Sequence, residues 1–311
     1  METRKSFQEF FKDNLTEILD PLERKRKKIA VIGLLAYFFI GATIAFLIVA
    51  VNQQSEVMGA LAFIFLILMI VEFIIFYNKR RDHVSEFKEK IIRRIIEFID
   101  PSLNYKADMC INRNDYENSG LFLKTPDRYQ GDDFIEGKRD KTIFCFSELH
   151  TQYKVNTGKS SYWETIFRGI FFIADFNKKF SSRTYVWSSE NPQLNFFIKT
   201  FSSFSWNLEK VTLESNDFDR QFIVYGSDQV EARYILTPSF MERMMKLRRM
   251  MGSGISFSFV NTNINVAVPI NESLFEPKIF SANDYQKLGD YYNTIYIVFD
   301  IIDELSLNDR Y

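Results

Sequence analysis

The chain has 311 residues, is 46% hydrophobic and 25% charged, carries a formal net charge of -1, and has 33 Phe against 12 Gly and 7 Pro. Such a composition excludes a disordered or collagen-like chain, and the balanced charge argues against a nucleic-acid binder, which needs a cationic surplus to neutralise phosphates. Two Cys exclude a disulfide scaffold and a four-Cys zinc site.

In chain order, Phe7, Phe10, Phe11, Leu15, Ile18, Leu19 and Leu22 recur at three and four, which predicts an amphipathic helix over 4–22. Asp20-Pro21 ends it in this reading, because the residue before proline disfavours helix. Residues 29–51 contain no charge, and 57–77 contain only Glu72. At about 1.5 Å per residue each run can cross a hydrocarbon core of about 30 Å. Residues 52–56 are too short a link for anything but an antiparallel hairpin. Two buried helices of a soluble core are the alternative, but soluble helices are rarely apolar all round for this length. A cleaved signal peptide does not fit, since the run starts at Ile29, is too long, and has Ile48 where a small residue is needed before Ala50.

Arg24-Lys25-Arg26-Lys27-Lys28 precedes the first span, Lys79-Arg80-Arg81 follows the second, and the loop between has no Lys or Arg. By the positive-inside rule both termini face the cytoplasm. Glu72 lies near the cytoplasmic end of its span, at the depth of Gly33 to Tyr37. It reads as a structural acid that snorkels or accepts a hydrogen bond from Tyr37, as an ion or proton site, or as a contact with another subunit. Gly33, Ala36, Gly41, Ala42 and Ala45 give the first span small positions for close packing.

Val84, Phe87, Ile91, Ile92, Ile95, Phe98 and Ile99 predict a second amphipathic helix over 83–99, ending before Asp100-Pro101. Shifted by 80 positions it aligns with the first: Phe7 with Phe87, Glu9 with Glu89, Glu17 with Glu97. Each stripe needs an apolar partner. The organisation is therefore 1–28 cytoplasmic amphipathic helix, 29–77 transmembrane hairpin, 78–103 juxtamembrane amphipathic helix, and 104–311 cytoplasmic α+β domain.

In that domain 142–155, 167–176 and 183–187 read as strands, with a turn over 137–140. Residues 208–214 and 220–225 read as a strand pair, and 255–260 with 264–268 as a hairpin through Asn261-Thr262-Asn263. Helices are expected over 191–204, from Asp228 (a cap, with Glu231 three residues on), over 238–251 and over 284–305. Strands in runs with helices between pairs predict an α+β fold with a largely antiparallel sheet and flanking helices.

Several stretches resemble a bacterial family, domain of unknown function 3137. They are Tyr129-Gln130-Gly131-Asp132-Asp133-Phe134-Ile135-Glu136-Gly137, Phe146-Ser147-Glu148-Leu149, Phe167-Arg168-Gly169-Ile170-Phe171-Phe172-Ile173-Ala174-Asp175-Phe176-Asn177-Lys178, Leu213-Glu214-Ser215 leading to Phe222-Ile223-Val224-Tyr225, and Asp228 to Pro238 followed by Phe240-Met241-Glu242-Arg243. The resemblance spans roughly 118–277. It implies a two-pass bacterial inner-membrane protein and no activity, so no catalytic residue carries over.

The residues themselves offer little chemistry. Asp132-Asp133, with Glu148 and with Glu136 or Asp175, could give hard oxygen ligands to Mg²⁺ or Ca²⁺. Adjacent residues of an extended chain point to opposite faces, however, and a turn explains the pair better. Glu148 and His150 share a strand face, which suits acid–base work but is also what a solvent-facing strand edge looks like. No nucleophile elbow, metalloprotease, Walker or dinucleotide motif occurs, and no cofactor is expected. Cys145, between two Phe, reads as a buried small residue. Arg168, Lys178, Lys179 and Arg183 could form a basic rim for anionic lipid, or a solvated loop. Glu231 and Arg233 read as an ion pair or part of a pocket. The sequence therefore predicts a membrane-anchored cytoplasmic interaction or scaffold module with a protein partner or a second copy. The alternative is a membrane-anchored enzyme using Asp132, Asp133 and Glu148.

Overall fold

The computed structural model describes residues 6–176, 179–190, 208–305 and 307. The helix expected over 191–204 lies outside them. The chain divides into two compact units, one of residues up to Ile99 with Phe275–Tyr292, the other of Asp100–Leu274 with Asn293–Tyr311.

The first unit is built on two long helices, α1 (Phe7–Gln53) and α2 (Glu56–Ile99), both long and apolar enough to cross a membrane. The chain reverses at Gln54, in the left-handed region at φ 47°, and Ser55 starts α2 by accepting from the Met58 amide at 3.5 Å. The helices run antiparallel, as Phe10 stacking on Phe98 (3.9 Å) and Lys25 bonding Glu86 (2.7 Å) show. Pro21 does not end the first helix: α1 continues through it. An interior proline costs about 3 kcal/mol, and burial of Leu15, Leu19, Leu22 and Ile29 along one seam offsets that. The second helix stops at Ile99, where Asp100-Pro101 was read as its end. Each helix holds one wide π-turn, at Phe11–Leu15 and Lys88–Ile92.

The amphipathic stripes close on each other and on residues 275–292. Phe7 packs against Tyr285 and Tyr292, Phe87 against Tyr291, and Ile91, Ile92 and Ile95 are fully buried. Arg26 donates to the Ile279 carbonyl at 2.7 Å, and Glu23 accepts from the Asn283 backbone and side-chain amides at 3.1 Å each. His83 is buried here with neither ring nitrogen hydrogen-bonded. Its burial, with Lys25 nearby, lowers its pKa. Along the apolar runs the side chains stay outside: Phe38 is 64% and Phe63 63% exposed.

The second unit is α+β. Its nine described strands form one antiparallel sheet in the order β1-β2-β3-β4-β9-β8-β5-β7-β6. In chain order they are β1 (Asn104–Lys106), β2 (Arg128–Arg139), β3 (Thr142–Asn156), β4 (Ser161–Asp175), β5 (Thr184–Ser188), β6 (Glu209–Lys210), β7 (Phe222–Gly226), β8 (Ser256–Val260) and β9 (Asn263–Pro269). The described helices are α3 (Arg113–Asn118), α4 (Asn216–Gln221), α5 (Gln229–Ile235), α6 (Pro238–Met251) and α7 (Tyr285–Glu304), whose last part belongs to this unit. Gly137 and Lys138 are strand rather than turn, because β2 runs on to Arg139 and the chain reverses at Asp140, φ 50°. The strand expected over 208–214 shrinks to β6, since Ser215 caps α4 by accepting from the Phe218 amide. Asp228 caps α5 and Thr237 caps α6, and the α6 stripe Phe240, Met241, Met244 and Leu247 is buried core.

Strand β4 is interior, between β3 and β9, and is apolar on both faces. Phe171 joins Tyr116, Leu149 and Trp187 on one face, where the Trp187 indole donates to the Leu121 carbonyl at 3.0 Å. On the other face Phe172 meets Phe144, which meets Phe299 of α7 edge-on. Gly169 has φ 148°, and a Cβ there would collide with the Val268 carbonyl of β9. Phe171→Ala should cost about 3–5 kcal/mol through lost burial and a cavity, and Gly169→Val at least about 1–3 kcal/mol by overpacking, with backbone strain added. Thermal unfolding of the intact protein in detergent checks both. A Phe171→Ala loss under about 0.5 kcal/mol would contradict the interior placement of β4.

Candidate functional site

The acidic residues converge by way of a break in strand regularity. Between β2 and β3, Asp132 pairs with Glu148 and Ile135 with Phe146, so Asp133 and Phe134 together oppose the single Ser147. This is a β-bulge. Asp133 takes φ 56°, a left-handed conformation that Asp tolerates better than most residues. Its amide and that of Phe134 turn to the carbonyls of Ala107 and Met109. The alternation that should have sent Asp132 and Asp133 to opposite faces is cancelled. Asp132, Asp133 and Glu148 each bring a carboxylate oxygen within 4.8 Å of the others, with Asp133 and Glu148 buried.

Protein donors reach Asp133 and Glu148. The Tyr105 hydroxyl donates to Asp133 Oδ1 at 2.5 Å, and the Leu274 amide to Glu148 Oε2 at 2.7 Å. Cys110 lies alongside, its thiol pKa raised by burial and by the Asp132 charge. An all-oxygen set of this kind suits a hard divalent cation such as Mg²⁺ or Ca²⁺. Glu136 does not join, because it accepts from Asn104 and Lys106, and the Lys106 hydrogen bond holds its carboxyl below the usual range. Asp175 sits at the far end of β4, opposite Asn263. Glu148 and His150 form no acid–base pair: Glu148 turns to the Leu274 amide, while His150 Nε2 lies 3.3 Å from Thr165 Oγ1. Burial pushes the Cys145 thiol up to about 12, as a core residue requires.

Glu72 is buried in the α1–α2 seam, and neither carboxylate oxygen has a hydrogen-bond partner. Tyr37 does not supply one, since it is 69% exposed. Glu231 and Arg233 do not pair. Glu231 accepts from Ser181 and from the Ser182 amide, and these bonds outweigh its burial and lower its pKa; Arg233 bonds Gln229. Sequence reasoning missed Arg248, which is buried and bonds Ser188, the Ser253 carbonyl and Glu190. Its signal was its place in the α6 stripe, four residues after Met244. Tyr105→Phe strips a donor from the buried Asp133 carboxylate and should destabilise the protein by about 1–3 kcal/mol. An unchanged melting temperature in detergent would show that Tyr105 does not support the cluster.

No curated protein matches the sequence. Among solved structures, the mycobacterial trehalose monomycolate transport factor A, TtfA, aligns with a TM-score of 0.36 and 8% identity, over 69% of this chain and 94% of that one. A likeness of that size carries no argument about fold or function. The model of the family described as Protein of unknown function (DUF3137) matches residues 165–307. The match takes in the β4 segment and Asp228 to Arg243 but begins after Tyr129 to Gly137 and Phe146 to Leu149. Residues 165–307 are thus similar to the family that the sequence resembles.

Proposed function

We propose that the protein is a membrane-anchored interaction or scaffold module of the bacterial inner membrane. In this reading α1 and α2 span the bilayer, both termini lie in the cytoplasm, and the α+β unit meets a protein partner or a second copy there. The observation that carries the anchor is the uniformly apolar exterior of the two helices, which has no role in water. The basic flanks and the Lys- and Arg-free loop support the orientation. The amphipathic stripes no longer support a partner, since they close within the first unit. Support comes instead from α5, where Val230 and Tyr234, one turn apart, are 75% and 64% exposed within the family-matched segment. Tyrosine is among the residues enriched at contact surfaces. A photo-crosslinking residue at position 234 of the intact protein in cells should give one discrete adduct that Val230→Asp removes. No discrete adduct would contradict the role of this face.

A second reading, a cation-dependent enzyme on the same anchor, is favoured by one observation: the bulge gathers Asp132, Asp133 and Glu148 and buries two of them. On this reading the full-length protein binds Mn²⁺, a probe for Mg²⁺ sites, in an electron paramagnetic resonance titration. Asp133→Asn and Glu148→Gln then weaken binding by at least about tenfold, as expected when a charged ligand is lost. Wild-type binding no tighter than that of the two variants would remove this reading and leave the module alone.

A further inference from the structure

We propose that Phe280, from late in the sequence, inserts into the bilayer beside the cytoplasmic ends of α1 and α2 as a further point of lipid contact. This deepens the membrane-anchor reading and rests on it. Phe280 lies in the loop before α7, in the same unit as the two long helices. The loop is fastened at the level of the basic flanks. Arg26 of α1 donates to the Ile279 carbonyl at 2.7 Å, and Arg80 of α2 pairs with Glu276 at 3.2 Å. Asn283, whose amides bond Glu23, accepts from the Lys278 amide at 3.2 Å. Arg26 and Arg80 stand among the charges that border the apolar runs 29–51 and 57–77. Such flanks fall among the lipid headgroups when the runs span a bilayer.

From this fastening the Phe280 ring reaches toward the apolar runs. Its centre lies 6.3 Å from that of Phe76, with the planes 23° apart, and its Cζ lies 3.1 Å from where a Cβ on Gly33 would stand. Phe76 is within the second run, and Gly33 is past Ile29 by one helical turn, about 6 Å along the axis. With both runs spanning, the ring is at the depth of hydrocarbon. It is nevertheless 60% exposed, whereas Ile279 beside it is buried and already seals the loop against the helices. In a bilayer the exposed ring surface meets acyl chains instead of water, which favours it. That surface continues the apolar exterior of Leu34 and Phe73, next to Gly33 and Phe76 on the helices and likewise exposed, and this continuity selects lipid as the occupant. The Ile279 carbonyl and the Lys278 amide, the polar backbone groups leading to the ring, are both bonded within the protein, as entry into an apolar layer requires.

The test attaches a nitroxide to Phe38→Cys, Ser85→Cys or Phe280→Cys, each in the full-length chain with Cys110→Ala and Cys145→Ala, reconstituted in lipid nanodiscs. Power saturation in electron paramagnetic resonance compares contact with oxygen, which concentrates in hydrocarbon, and contact with a water-soluble nickel chelate. Position 38 is the hydrocarbon reference and position 85 the aqueous one. Position 280 should follow position 38, with a ratio of oxygen to nickel contact several-fold above that at position 85. In the unsubstituted protein, lipids with a photoreactive group in the acyl chain should crosslink to residues 278–282, a readout that does not depend on any variant folding. Nickel contact at position 280 with oxygen contact at position 38 would overturn the proposal and leave the anchor standing. A label at position 280 closed to both agents, the sign of a protein surface over it, or crosslinks confined to α1 and α2, would do the same. Nickel contact at position 38 would instead overturn the anchor reading, and this proposal with it.

Discussion

Inside a hydrocarbon layer every backbone N–H and C=O must be bonded within the protein, and α1 and α2 meet that constraint with helical bonds alone. Their side chains then have to be apolar on all sides, as those of residues 29–51 and 57–77 are, save Glu72. The exception is buried, in the seam between the helices rather than on their outward-facing sides. Gly33 fits the same logic: a Cβ there would press into the Phe76 ring, so the small residue lets the helices approach next to the acid.

In the second unit the interior strand β4 plays the corresponding part. It is buried on both faces, so each of its Phe side chains commits a neighbouring element. Phe171 fixes the segment around Tyr116, and Phe172 fixes Phe144 and, through it, α7. Gly169 lets β9 pass close by. This sheet carries the bulge at Asp133. A bulge is a suitable device for gathering carboxylates, since one extra residue re-aims a side chain without disturbing the strands beside it.

Much of this was legible in the sequence, and the failures have physical causes. The charge-free runs as long helices, the cap at Asp228 and the apolar text of 167–176 are local signals and read correctly. Pro21 misled because a local steric rule lost to the burial of Leu19 and Leu22 against α2. Asp132 and Asp133 misled because side-chain alternation holds only for a regular ladder, and no periodicity announces a bulge. Residues 275–292 carry no local mark of packing with the amphipathic helices; that choice is made by Phe7, Phe87 and Arg26, far away in the chain. Arg248 was not singled out, though its spacing places it on the buried stripe.

The central claim is that α1 and α2 cross a bilayer with both ends on the cytoplasmic side. Single cysteines at Gln54 and at Ser85, in a chain whose Cys110 and Cys145 are replaced by Ala, test it with a membrane-impermeant maleimide on intact cells. The account predicts labelling at position 54 and none at position 85 until the membrane is opened. Labelling of position 85 from outside, or equal labelling of both, would contradict it.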